Sequence, residues 1–172
     1  MRKAWIVAFA LAAIAGGIYL GVQHIPSDTN YIDASQTVEV AEEDSVYKAG
    51  EAFMEKISHE PGVESLGAGV YYKVLRTGNG TVPTGDSKVK VNYEGRLIDG
   101  TVFDSSYERG EASSFPVSGV IQGWQLALKA MPVGSEWEIY IPQYYAYGAS
   151  GSGEKIPPYS ALVFKVELLG IE

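Results

Sequence analysis

The chain has 172 residues, 46% of them hydrophobic, with a net charge of -8 and no cysteine. That size and composition describe one globular domain with extensions, able to bury a real core. The acidic balance argues against a nucleic-acid partner, which needs clustered Lys and Arg, and the lack of cysteine excludes disulfides, thiolate zinc sites and cysteine nucleophiles.

Arg2 and Lys3 precede an apolar run over 4–22. As a helix it would span ~28 Å, about the thickness of a bilayer core. Two readings stand: an uncleaved membrane anchor, or a secretory signal cut after Ala13-Ile14-Ala15. The run continues past those small residues, which favours the anchor. Under either reading the basic residues stay in the cytoplasm and the remainder is exported. Residues 1–25 thus form the anchor or signal segment. Residues 26–44 carry Asp28, Asp33, Glu39, Glu42, Glu43 and Asp44 without a clear period, and read as an acidic linker.

Asp44 or Ser45 can cap a short helix running to about Ser58, with Val46, Ala49, Phe53 and Ile57 on one apolar face. That face must pack on the following domain or on a second chain. Residues 45–66 are this helix and its connection, and the domain proper spans 67–172. From Gly69 the period becomes two. Val70, Tyr72 and Val74 mark one strand, and Val89, Val91 and Tyr93 another. Asp99-Gly100 is a hairpin signal, and the next strand brings in Phe103 and Asp104. Ser113–Val117 reads as an edge strand, since Pro116 lacks a donor N–H. Ile121–Ala130 is a helix ended by Pro132 and Gly134; Trp137–Ile141 and Leu162–Leu168 are half-buried strands separated by a long loop, Tyr144–Ser160.

The expected fold is α+β: an antiparallel sheet of about five strands around one short helix, preceded by a short amphipathic helix and an N-terminal hydrophobic helix. One short helix leaves part of the sheet face uncovered, and a ligand would sit there. Both histidines, His24 and His59, lie upstream of this domain, so it holds no Ser-His-Asp triad and no histidine metal site. Its chemistry must come from apolar walls, hydroxyls, backbone groups and carboxylates.

The segments VNYEGRLIDGTVFDSS, FPVSGVIQGW, YAYG and IPPYSALVFKVELL resemble the FKBP family of peptidyl-prolyl cis-trans isomerases, in order and spacing. AGEAFMEK followed by GVYYKVLRTGNG is similar to its bacterial Mip-like and FkpA-like branch. The resemblance implies a pocket for a proline ring with Trp124 as floor and Tyr93, Phe103, Phe115, Val120, Ile121, Ile156 and Phe164 as walls. Tyr147 would offer its hydroxyl to a substrate carbonyl, and the Ile121 N–H would bind another. Asp104 would sit at the rim near the twisting amide, with Arg109 placed to pair with it. The catalytic set is then Asp104, Tyr147, Phe103 and Trp124. Val117 stands where the family often has a larger aromatic and Tyr159 where it commonly has Asn or His; both point to altered substrate preference. The implied partners are proline-containing unfolded or partly folded polypeptides and the family's macrolide inhibitors, with no cofactor. Only a short helix replaces the branch's longer dimerisation arm, which favours a monomer.

Such residues suit the chemistry. An X-Pro bond rotates over a barrier of ~18–20 kcal/mol set by amide resonance. The twisted amide is less polar than the planar one, so a dry aromatic cage favours it, and no bond is made or broken. Each residue also has a bland role: Trp124, Ile121 and Phe164 as core, Tyr147 as a packed loop residue, Asp104 as a turn cap. The alternative function is a non-catalytic proline-peptide module or holdase chaperone.

Overall fold

The structure is a computed structural model that describes residues 34–172. The apolar run over 4–22, the cleavage alternative and the first part of the acidic linker lie outside the described residues. Among the described residues no helix is long and apolar enough to cross a membrane.

Helix α1 covers Ala34–Ser58 and so begins well upstream of the expected cap at Asp44. The acidic stretch from Ala34 to Asp44 is helical, where the sequence shows no clear period. Its Ala, Gln and Glu residues are strong helix formers, but it has no apolar stripe to betray the period. Val38, for example, is 66% exposed. Farther along, Gly50, Met54 and Ile57 are buried, while Ala49, expected on the apolar face, is exposed. The docked stripe is therefore rotated by about one residue. It packs on Tyr140, Ala161 and Val163, with Phe53 lying 6.2 Å from the Tyr140 ring. The apolar face that had to seek cover finds it on its own domain.

The sheet has seven strands, not five: β1 (Val63–Gly67), β2 (Val70–Arg76), β3 (Lys88–Leu97), β4 (Val102–Ser105), β5 (Ser113–Pro116), β6 (Glu136–Ile141) and β7 (Leu162–Ile171). The path runs β1-β2-β6-β7-β3-β4, all antiparallel, and β5 also pairs with β3. Strand β1 falls where the sequence predicts only a connection. It forms a hairpin with β2 through Gly67-Ala68-Gly69, where all three residues have positive φ. The edge of β3 away from β7 is shared: β5 takes its first half and β4 its second, because each is only four residues long.

Strand alternation sorts the two faces. Trp137, Ile139 and Ile141 of β6, Leu162, Phe164, Val166 and Leu168 of β7, and Val89 and Val91 of β3 join the main core. Helix α2 is a single turn, Ser106–Arg109, and α3 spans Gln122–Leu128. Trp124, Ala127 and Leu128 of α3 pack into that core. The opposite face carries Tyr140 and Val163 under α1, and farther along a lattice of ion pairs. There Arg76 meets Glu136 at 3.0 Å and Glu167 at 2.6 Å, and Lys165 meets Glu136 at 2.7 Å. A helix of seven residues covers only part of the inner face. The uncovered part, toward β4 and β5, holds the cavity.

Candidate active site

Trp124 projects from α3 into a ring of aromatics. Tyr93 (β3) and Phe164 (β7) each stand 5.3 Å from it at 88°, and Phe115 (β5) stands 6.1 Å away at 86°. Phe103 (β4) lies edge-on to Phe164 at 5.5 Å. Perpendicular pairs of this kind are favoured by the ring quadrupoles and fix one another's orientation. The Trp124 Nε1–H is buried with no oxygen or nitrogen acceptor. The rings enclose a cavity of about 300 Å³ lined by Tyr93, Phe103, Asp104, Phe115, Gly119, Val120, Ile121, Trp124, Tyr147 and Phe164.

Several local features hold this arrangement. Gly95 on β3 lies under two rings: a Cβ there would meet Phe103 at 2.6 Å and Phe164 at 2.7 Å. Ser105 caps α2 by accepting from the Glu108 N–H at 3.3 Å. Ser106, fully buried, accepts from the Tyr93 N–H at 2.8 Å and so ties α2 to the strand behind the cavity. The turn Val117–Gly119 leads into α3, and the Val120 carbonyl accepts from Gln125 Nε2 at 2.9 Å. This turn sets Ile121 at the helix start. Among the described residues nothing accepts from the Ile121 N–H, nor does any group bond the Tyr147 hydroxyl.

The rim is polar and charged. Tyr93 Oη donates to Asp104 Oδ2, and Arg109 Nη1 donates to Asp104 Oδ1. Arg109 Nη2 donates to Tyr93 Oη and to Ser113 Oγ, each at 3.1 Å, and the guanidinium lies 5.5 Å from the Tyr93 ring centre. Partial burial acts to raise the Asp104 carboxyl. The two hydrogen bonds and the guanidinium charge prevail and hold it below the usual carboxylate range. Burial, then the bond to Asp104, pushes the Tyr93 phenol up; burial, then the Asp104 charge, does the same for Tyr147. At neutral pH the rim therefore presents an ionised carboxylate and two protonated phenols.

The cavity gathers Tyr93, Phe103, Asp104, Phe115, Val120, Ile121, Trp124, Tyr147 and Phe164, all expected there. Ile156 falls outside it. It is 6% exposed and lines an adjoining depression with Phe103, Asp104 and Tyr147. Val117 is 1% exposed in the core and lines no wall, so its small size does not open the cavity. Tyr159 also points elsewhere: its ring stands 6.2 Å from Tyr47 of α1 at 82°. Its backbone has φ 61°, a conformation that Asn adopts far more readily than Tyr. The departure at 159 thus belongs to the docking of α1 and not to the cavity. Gly95, Ser106 and Ser113 are not anticipated by the sequence reading. For α2 the signal is present, since Ser105-Ser106-Tyr107-Glu108 has the spacing of a capping box.

The profile of the FKBP-type peptidyl-prolyl cis-trans isomerases matches residues 79–169, and the chain belongs to that family. Among curated relatives, it is 52% identical over 122 residues to the FKBP-type 22 kDa peptidyl-prolyl cis-trans isomerase of Escherichia coli (strain K12), covering 71% of this chain and 59% of that protein. It is 51% identical over 121 residues to the peptidyl-prolyl cis-trans isomerase Mip of Coxiella burnetii, covering 70% of this chain and 53% of that one. The crystal structure of FkpA from Escherichia coli aligns with a TM-score of 0.76 and 40% identity, over 80% of this chain and 64% of that chain. The chain thus spans a little over half the length of these curated relatives.

Proposed function

We propose that the chain catalyses cis-trans rotation about X-Pro bonds in unfolded or partly folded polypeptides, with no covalent step and no cofactor. The observation that carries this is the convergence of five aromatic side chains on one cavity beside two unengaged donors and an ionised carboxylate. The proline ring would rest on Trp124 between Tyr93, Phe103, Phe115 and Phe164, with Val120 and Ile121 closing one end. Rotation breaks amide resonance and lowers the polarity of the bond, so the apolar cage favours the rotated form over the planar one. The Tyr147 hydroxyl and the Ile121 N–H would hold the flanking carbonyls in register during the turn. Asp104, fixed by Tyr93 and Arg109, would face the rotating amide. Ile156 would take part from the adjoining depression. Macrolide inhibitors of the family would compete for the same cavity.

The basic-then-apolar start of the chain supports placement of this domain outside the cytoplasm, anchored through residues 4–22. The burial of the α1 stripe against Tyr140 and Val163 supports a monomer. A protease-coupled assay on a proline tetrapeptide tests the activity. The full chain should accelerate exchange, and a rate equal to the uncatalysed one rejects the reading. Tyr147→Phe deletes one substrate hydrogen bond worth ~0.5–1.5 kcal/mol, so kcat/KM should fall about two- to tenfold.

A further inference from the structure

We propose that Gln125 is a positioning residue for the isomerase reaction: its side chain fixes the peptide group that carries the Ile121 N–H, and so aims that donor at the substrate carbonyl. This rests on the isomerase reading and deepens it, because Gln125 itself lines no wall of the cavity.

The Val120 carbonyl and the Ile121 N–H belong to one peptide group. That group is planar and trans, so its two polar bonds point in opposite directions. Turning one turns the other. Gln125 Nε2 donates to the Val120 carbonyl at 2.9 Å, and no main-chain N–H among the described residues does so. The acceptor is a carbonyl, so the Gln125 amide must offer its NH2 group there. The main-chain N–H of Gln125 donates to the Ile121 carbonyl at 3.1 Å. Gln125 thus holds the peptide groups on both sides of Ile121.

Little else steadies this link. Ile121 is the N-cap of α3, and its apolar side chain makes no capping bond. Ser118 and Gly119 just before it are exposed. Val120 has φ -99° and ψ 168°, and Ile121 has φ -57° and ψ 151°, so neither is helical. The peptide between them can swing by opposed changes in Val120 ψ and Ile121 φ, and the Gln125 bond resists that swing. It also draws charge toward the carbonyl oxygen. That makes the N–H of the same amide a stronger donor, by roughly 10–30% for bonds in series. Gln125 therefore acts on a free donor of the cavity without touching substrate.

The test is a double-mutant cycle in kcat/KM of the full chain on one proline tetrapeptide. Ile121→Pro deletes the N–H, and its ring suits φ -57° at 121 and the extended backbone at 120. Gln125→Met deletes the side-chain donor at nearly constant length. Alone, Gln125→Met should lower kcat/KM by about two- to tenfold, at most the worth of the hydrogen bond it aims. In the Ile121→Pro background it should have no further effect. An equal drop in both backgrounds shows that Gln125 acts through the fold at large and overturns the proposal, as does no drop in the wild-type background. Should Ile121→Pro fail to fold, the Ile121 amide resonance of the isotope-labelled full chain decides. A saturating proline peptide should move it in wild type and move it less in Gln125→Met; equal movement overturns the assignment. A wild-type rate equal to the uncatalysed one removes the isomerase reading itself, a result distinct from activity that ignores Gln125.

Discussion

Replacing Trp124 by phenylalanine and by alanine separates two properties of the cavity floor. Trp124 is 4% exposed and makes perpendicular contacts with Tyr93, Phe115 and Phe164. Removing the ring altogether should cost ~3–5 kcal/mol, as for buried aromatics generally. Phenylalanine keeps an aromatic plane and most of those contacts, each worth ~0.5–1.5 kcal/mol beyond area. It also deletes an indole N–H that lacks an acceptor, and an unsatisfied buried donor costs ~1–3 kcal/mol. The smaller ring and the relieved donor nearly offset, so Trp124→Phe should lose less than ~1.5 kcal/mol. Urea unfolding monitored by far-ultraviolet circular dichroism measures both, with the midpoint moving and the slope unchanged. Isomerase rates should rank wild type, then Phe, then Ala. If Trp124→Phe is as destabilising as Trp124→Ala, the indole N–H has a real partner and the account of the floor is wrong.

Asp104 stays ionised below the usual carboxylate range, so its contribution to stability is complete above about pH 4 and is lost as pH falls through its depressed value. Activity should accordingly hold level down to about pH 4; in Tyr93→Phe, which removes one of its donors, the acid limb should move to higher pH, and an unmoved limb would deny Asp104 that support. Gly50→Leu should cost ~1–3 kcal/mol by overpacking, because a Cβ at 50 already lies 3.3 Å from the Ala161 Cβ; a thermal midpoint equal to wild type would show that α1 does not dock as described. Tyr159→Asn relieves a left-handed tyrosine, ~1–2 kcal/mol, and gives up the Tyr47 contact, ~0.5–1.5 kcal/mol, so its net effect should be under ~1.5 kcal/mol. Tyr47→Ala should then cost less in the Tyr159→Asn background than in wild type, and equal costs in a double-mutant cycle would rule the contact out.

The strands that build the cavity were legible because each presents one dry face and one wet one. Val89, Val91 and Tyr93 show that alternation without interruption; Trp137 and Ile139 show it until Tyr140, which α1 covers. Strand β1 hid from the same test, since only Val63 and Leu66 of its five residues are even half-buried. The first half of α1 hid for the opposite reason: a segment whose sequence carries no apolar stripe has no period to detect, although its composition favours helix. The rings of the cavity were legible together through the family's spacing. Their supports were not, because Gly95 and Ser106 act by closeness and by backbone hydrogen bonds that leave no pattern along the chain. Tyr159 misleads because its difference from the family lies in a backbone angle and a contact with α1, neither visible in a motif.

The family match begins at residue 79, yet the sheet does not. Strand β2, Val70–Arg76, sits between β1 and β6 and pairs with β6 from Tyr71 opposite Tyr140 to Arg76 opposite Glu136. A fragment trimmed to the matched boundaries would keep every ring around Trp124 and still bare the main-chain donors and acceptors of β6 along one side. Such an open border invites a neighbouring molecule to add a strand. A truncated preparation that clumps would thus report a missing border strand and leave the side chains of the cavity blameless.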